Sequence, residues 1–536
     1  MKLNGIFKDN MVFQRDQEIR VFGITKRTRG NRVTCTIEDR SGKILSEGET
    51  KDIGDDGSFV AVLPALSKGG PYTLRVKGSR DKEEKNITGV YMGEVWIAGG
   101  QSNMEYPLIR SQFASMIVPR CPDTNIHFYN IPAFGNLTPE QAQAEEESHW
   151  DVINKDTCGA MSAVAFYFAR KVTSVLKESD EDLGDLHFGI IGCYLGGTNI
   201  ACWQSIDSLM STKVGMRYIS EFDIQASAYS EEEYLEMKKE YDAENDAHIV
   251  RLNRLLKKNP YITYGDADRE IGSGAWPPPV GSTSDRRPGA LFDAMVMRIV
   301  PFGVKGVIFY QGETDAEDHA DEYAVVFTTL IEEWRSVFRN EDMPFVFCQL
   351  PMFITRDRKF MGYDDMKWPK LRAQQNRVQL TVPNTYMAVL ADCGEFDNIH
   401  PCDKKTPGER LAHLALRFVY GKEDLPAVAP FVVDVRRGDG VEVTFGGDFK
   451  HLNLVTEFSC DDSGFEIQDE KGEFHPATAV VDFDGKTVLI NCREVEMAYG
   501  VRYAFFSYGM ANLITDTGLA AAPFRATLDN TIGEFY

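Results

Sequence analysis

Apolar and polar positions change their period twice along the chain. From residue 1 to about 90 the runs Glu18 to Phe22, Arg32 to Glu38, Phe59 to Leu63 and Tyr72 to Lys77 are short and are broken by Asp56-Gly57 and Gly69-Gly70-Pro71. Short β-prone runs bounded by turn residues predict half-buried strands, so residues 1–90 are expected to form a β-sandwich-like domain. The same texture returns in Val441 to Phe445, Thr487 to Ile490 and Val501 to Phe505, which predicts a β-rich C-terminal domain over 426–536. Between them, over 91–425, apolar runs too short for helices alternate with longer amphipathic stretches. The runs are Val95 to Ala98, Phe188 to Ile191, Val307 to Tyr310, Phe345 to Phe347 and Met387 to Leu390. That alternation predicts an α/β domain in which a parallel sheet is wrapped by helices. One stretch at about 220–260 reads as an inserted helix or helical hairpin. Ser230 and Glu233 make a capping box there, and Tyr234, Met237, Tyr241, His248, Leu252 and Leu255 follow a helical period.

At 536 residues the chain is too long for one hydrophobic core, and 43% hydrophobic with 26% charged residues is a globular composition. A formal net charge of −23 without a Lys/Arg-rich run repels phosphate backbones and anionic membranes, so neither nucleic acid nor membrane is expected as a partner. The first residues, Met1 to Phe7, lack the apolar core of a secretory signal, which predicts a cytoplasmic protein if nothing has been trimmed. Ten cysteines are spread singly with no CxxC pair, the usage of a reducing compartment, and no His/Cys spacing suits a metal. Oligomeric state leaves no trace in the sequence.

Ligands of open α/β sheets bind just beyond the carboxyl ends of the strands. There the chain carries Gly99-Gly100-Gln101-Ser102-Asn103-Met104, then Gly196-Gly197-Thr198-Asn199, then Gln311-Gly312-Glu313-Thr314-Asp315, then a loop with Asp392, Glu395 and Asp397-Asn398-Ile399-His400-Pro401. Acyl transfer through serine needs a hydroxyl, a base, a group that orients the base, and donors for the oxyanion. Ser102 follows a Gly-flanked strand exit, and Met104 stands where the GxSxG elbow has its second glycine. Of nine histidines, His400 alone sits in a strand-end loop with an acid three residues earlier. On one helical turn that spacing lets Asp397 fix the imidazole tautomer; Asp392 and Glu395 are the alternative acids. Gly197 can offer a close backbone N–H and Gln311 a side-chain donor, which with the Ser102 N–H makes a three-donor oxyanion hole.

GEVWIAGGQSNMEYPL (93–108), LGGTNIACW (195–203), GVIFYQGETDA (306–316) and NIHPCDKKTPGERLA (398–412) resemble the blocks of sialate O-acetylesterases among the SGNH hydrolases. The resemblance extends to NMVFQRDQEIRVFG near the start and VRYAFFSYGMANLITDTGLAAAPFR near the end. It implies a flavodoxin-like three-layer α/β/α domain with flanking β-rich domains, no cofactor, and deacetylation of an O-acetylated sugar through an acetyl-enzyme. It places the nucleophile on Ser102, the oxyanion glycine on Gly197, the base on His400 and the third-block donor on Gln311. Where the family commonly shows Asp-Ile-His, this chain has Asn398-Ile399-His400. Gln101, Asn103, Glu313, Arg372 and Trp203 are further candidates for binding or orienting substrate. An anionic sialic acid calls for an arginine, with Arg372, Arg286 and Arg287 as candidates. Acetylated xylan or another neutral glycan calls for an aromatic platform, with Trp203, Trp276 and Trp368 as candidates. A non-catalytic glycan-binding protein and an acyltransferase are the readings from other classes.

Overall fold

The computed structural model describes residues 1–26, 30–80, 84–179, 183–455 and 463–528. The chain is a mixed α/β protein with several sheets, and it divides into two compact units: residues 1–309 with 329–345, and residues 310–328 with 346–536.

The first unit opens with antiparallel strands. Ile19–Ile24 lies between Lys2–Leu3 and Ser58–Leu63, and Val33–Glu38 between Ile44–Thr50 and Gly69–Gly78. Val33, Cys35 and Ile37 point inward while Thr34, Thr36 and Glu38 stay partly exposed, the alternation of a sheet with one wet face. Phe7, Phe13, Phe22 and Phe302 form an aromatic core, with Phe7 edge-on to Phe22 at 4.9 Å and Phe13 stacked on Phe302 at 5.3 Å.

The pivotal element is the strand Glu84–Gly100. Its first half alternates in burial and pairs antiparallel with Gly69–Gly78; from Met92 to Gly100 every residue is buried. That second half pairs in parallel with Phe188–Tyr194, which is itself parallel to Ile126–Asn130. The change from alternating to continuous apolar sequence is what a strand needs to pass from a half-wet sheet into one covered on both faces. Residue 90, where sequence reading set a boundary, falls inside this strand. Ile126–Asn130 escaped that reading because polar His127 interrupts its apolar run; burial of His127, at 1% exposed, against His187 (2.7 Å) makes it a strand residue.

The helix Ala163–Ser179 covers this sheet, Phe168 meeting Trp96 edge-on at 5.1 Å. The expected insertion comprises Lys213–Ala226, the long Glu231–Lys258 and Tyr264–Ile271. Both halves of the Ser230/Glu233 capping box are made. Leu255 packs with Ile262 and Ala267 in a small core of its own.

In the second unit, residues 346–348 of the strand Phe345–Cys348 and the strand Thr385–Ala388 are neighbours, with the helices Lys367–Thr381 and Lys405–Phe418 following each in turn. From Phe431 onward the described chain is strand and turn, in two four-stranded sheets and a small pair, around Phe445, Phe465, Tyr503 and Phe524. No described helix is long and apolar enough to cross a membrane, and the nine described cysteines form no disulfide.

Candidate active site

The parallel register sets the first cluster. Tyr194 pairs with Gly100, so the two strands end level and their next residues, Gln101-Ser102 and Leu195-Gly196-Gly197, are neighbours. Ser102 opens a one-turn helix, Ser102–Glu105, whose Met104 and Glu105 N–H groups both donate to the Gln101 carbonyl. The first N–H groups of a helix have no intrahelical acceptor, which suits them to a developing negative charge. A Cβ on Gly196 would lie 3.2 Å from Glu105 Oε2 and 3.3 Å from the Ser102 Cβ, both tight, so a glycine lets this turn seat closely against the serine.

Sequence reading missed the residue that pins this contact. Glu105 accepts the Gly196 N–H at 2.7 Å, and burial pushes its carboxyl above the usual range while that hydrogen bond pulls it back. The available signal was its spacing, three residues after Ser102, which returns the side chain to the serine's face of the helix.

Gly197 follows with φ 70°, a left-handed backbone that favours glycine. Two side chains cover it: an added Cβ would meet Trp276 Cη2 at 2.2 Å and Arg286 Nη2 at 2.4 Å. The Arg286 guanidinium lies over the Trp276 ring at 3.9 Å from its centroid. The loop that brings them is fixed by the inserted helix. Tyr234 OH bonds Thr283 Oγ1 at 2.9 Å, Asn245 Oδ1 accepts the Ala275 N–H at 3.1 Å, and Gly281 packs on the Tyr234 ring. Leu195, Gly196, Tyr234, Tyr241, Trp276 and Arg286 are among the residues lining a cavity of about 230 Å³. Trp276 and Tyr241 also line a more open groove of about 820 Å³.

The second unit holds a separate cluster. Gln311 is 1% exposed and its amide is oriented from both ends: Tyr323 OH donates to Oε1 at 2.6 Å, and Nε2 donates to Asp315. Gln375 Nε2 adds a bond to the Gln311 carbonyl at 3.1 Å. Burial drives the Tyr323 phenol well above its ordinary range, so it stays a donor and Gln311 Nε2 is held as a donor in turn.

His400 lies in a loop built by Asn398 and Glu395. Asn398 Oδ1 accepts the His400 N–H at 3.0 Å, and Glu395 takes Asn398 Nδ2 and the Cys402 N–H, both at 2.7 Å. Burial, and next the Lys404 charge, push the imidazole down to about 4, so it is neutral at pH 7, the form a general base requires. Lys404 is itself buried and pushed down to about 8 by burial, against the pull of Glu313. A lysine in the run Asp403-Lys404-Lys405 reads as solvated, and nothing in the sequence marks it as internal.

Several expectations change. Asp397 Oδ1 accepts the Arg356 backbone N–H at 2.8 Å and its Oδ2 accepts the Arg356 Nε–H at 3.0 Å, so its carboxylate serves Arg356 and not the His400 ring. The expected one-turn spacing fails because residues 397–400 are not helical: Asp397 has φ 57° and Glu395 bridges Asn398. Arg372 is fully buried, with its guanidinium on the carbonyls of Ala504 and Phe506 and on Met352 Sδ; it braces the C-terminal strands and meets no solvent. Trp203 is likewise 0% exposed, its indole N–H bonded to Thr198 Oγ1 at 3.0 Å, and Trp368 is buried against the Pro351 carbonyl. Of the proposed platforms only Trp276, at 64% exposed, faces solvent. Gln101 and Asn103 are buried, and Asp392 is committed to Arg410 at 2.6 Å. Among the described residues one group has metal-ligand proximity, Asp469, Glu473 and His475, within a surface turn where Asp469 and His475 pair at 3.0 Å.

Residues 276–417 match the family model described as carbohydrate esterase, sialic acid-specific acetylesterase. Over 540 residues the chain is 25% identical to a sialate O-acetylesterase of Mus musculus, covering 94% of this chain and 90% of that protein. It is 24% identical over 428 residues to one of Homo sapiens, covering 75% and 68%. It is also similar to the crystal structure of a carbohydrate acetylesterase from Xanthomonas citri, with a TM-score of 0.71, 26% identity, and 98% and 99% of the two chains covered.

Proposed function

We propose that this chain, a carbohydrate O-acetylesterase by its relatives and by the family its residues 276–417 match, cleaves acetyl esters by acyl transfer to Ser102, with sialic acid as the sugar it deacetylates. The observation that carries the mechanism is the level ending of two parallel strands, which seats the Gly196-Gly197 turn against Ser102. In this reading the catalytic domain has the three-layer α/β/α order of flavodoxin-like hydrolases.

His400, neutral at pH 7, takes the Ser102 proton as Oγ attacks the acetyl carbonyl. The Ser102 and Gly197 N–H groups and Gln311 Nε2 receive the oxyanion. Collapse expels the sugar oxygen, which leaves as a hydroxyl with the proton from His400. Water, deprotonated by His400, then releases acetate and restores Ser102. Glu395 and Asn398, which shape the loop beneath His400, take the orienting part that spacing had suggested for Asp397.

The test is acetate release from 9-O-acetylated sialic acid and from acetylated xylooligosaccharides by the wild type and Ser102→Ala. Faster turnover of the sialic acid, abolished in the variant, is the expected result. A Ser102→Ala enzyme that retains turnover would refute the serine mechanism, and preference for the xylooligosaccharide would refute the substrate.

A further inference from the structure

We propose that Arg286, laid flat on Trp276 above Gly197, is the specificity-determining residue that binds the carboxylate of an acidic sugar whose acetyl ester lies at Ser102. This assignment rests on the esterase reading and adds to it which group of the substrate is recognised, and by what.

The charges around the cavity are satisfied with one exception. Lys238 is paired with Asp242 at 2.6 Å, Asp285 Oδ1 accepts the Gly135 N–H at 2.7 Å, and Arg287 bonds Asn136 Oδ1 and the Ser282 carbonyl. Among the described residues no carboxylate pairs with the Arg286 guanidinium, which lies over the Trp276 face. Asp285 stabilises it through space, but burial outweighs that and depresses its pKa. A partly desolvated guanidinium without a counter-ion is a standing cost that a bound anion removes.

Position completes the argument. Gly196 packs on Ser102, and Gly197, one residue on, packs on Arg286. Adjacent Cα atoms are about 3.8 Å apart, so the cation and the nucleophile flank consecutive residues of one turn. The loop is held by Tyr234, Asn245 and the Asn136 Nδ2 bond to the Thr283 carbonyl at 2.8 Å, so the site is in place before substrate arrives. A neutral glycan would want the inner face of Trp276, and Arg286 already covers a face of that ring.

The experiment measures acetate release by the full chain from 9-O-acetylated sialic acid, from its C1 methyl ester, in which a neutral ester replaces the carboxylate, and from an aryl acetate. Wild type, Arg286→Gln and Arg286→Lys are compared. The expected result is a wild-type preference for the free acid that Arg286→Gln reduces about 10- to 100-fold, through KM more than kcat, and that Arg286→Lys partly restores. Added salt should raise the wild-type KM for the acid alone. Equal losses on acid and methyl ester would mean that Arg286 merely props Gly197, and a wild type indifferent to the charge would overturn the subsite as well. Absence of acetate from every substrate, the aryl acetate included, is a separate signature that would overturn the esterase reading and the subsite with it.

Discussion

Replacing Glu105 separates its role as a hydrogen-bond acceptor from its role as a charge. Its Oε2 takes the Gly196 N–H at 2.7 Å, and the same turn touches Ser102 and carries Gly197. Removing the acceptor in Glu105→Ala leaves that N–H unsatisfied, a cost of about 1–3 kcal/mol. Losing an oxyanion donor outright lowers turnover roughly 10²- to 10³-fold, so a donor whose turn is loosened is expected to cost about 10-fold. Glu105→Gln keeps a carbonyl oxygen for Gly196 and should retain most of the activity. Its effect on stability depends on pH. The folded carboxyl titrates above the ordinary 4.5, so between 4.5 and the raised value the folded state binds more protons than the unfolded one. Its stabilising contribution is therefore complete below 4.5 and disappears as pH rises through the folded pKa. The glutamine variant lacks this loss and should gain on the wild type as pH increases. Thermal unfolding midpoints from pH 4 to 8, paired with acetate release, test both parts. Equal damage from Gln and Ala at every pH, or a wild-type-to-Gln difference independent of pH, would refute the reasoning.

The remaining predictions concern other parts of the molecule. With His400 pushed down to about 4, kcat/KM should rise with pH through about 4 and be level near pH 6, and a midpoint at or above 6.5 in the pH–rate profile would show that the base is not this buried imidazole. The same shift means that unfolding takes up protons, so stability falls as pH drops from 6.5 through 4, which denaturant titrations at stepped pH would detect. Gly197→Ala should lower kcat/KM about 10- to 100-fold, since the backbone angle of 70° strains an alanine and its Cβ must push Trp276 and Arg286 aside; acetate release near wild type would contradict the crowding. Arg372→Ala should destabilise the second unit by about 2–5 kcal/mol by stranding the Ala504 and Phe506 carbonyls, seen as faster proteolysis within 346–528, whereas a surface arginine would show no effect.

Much of the scaffold was legible because it depends on neighbours in sequence. The five apolar runs became strands since such segments gain most from burial on both faces, and the Ser230/Glu233 box formed because a cap answers to residues three apart. The nearness of Ser102 to the Gly196-Gly197 turn was readable in the same way, as two strand exits side by side. The mixed strand Ile126–Asn130 was not readable, because His127 earns its burial from His187, sixty residues away.

Sequence by itself thus determined where the five apolar runs form strands, where the long helix of the insertion begins, and which strand ends carry polar, Gly-rich loops, all set by local propensity and hydrophobic period. Tertiary structure alone decided the partners of the long side chains. It gave Asp397 to Arg356, sank Arg372 and Trp203 out of reach, buried Lys404 near His400, and laid Arg286 on Trp276 over Gly197. A long charged or aromatic side chain can serve equally well on a surface, in a core or at a ligand. Which of these it does depends on the groups that other elements bring within about 4 Å, and no period within its own segment encodes that.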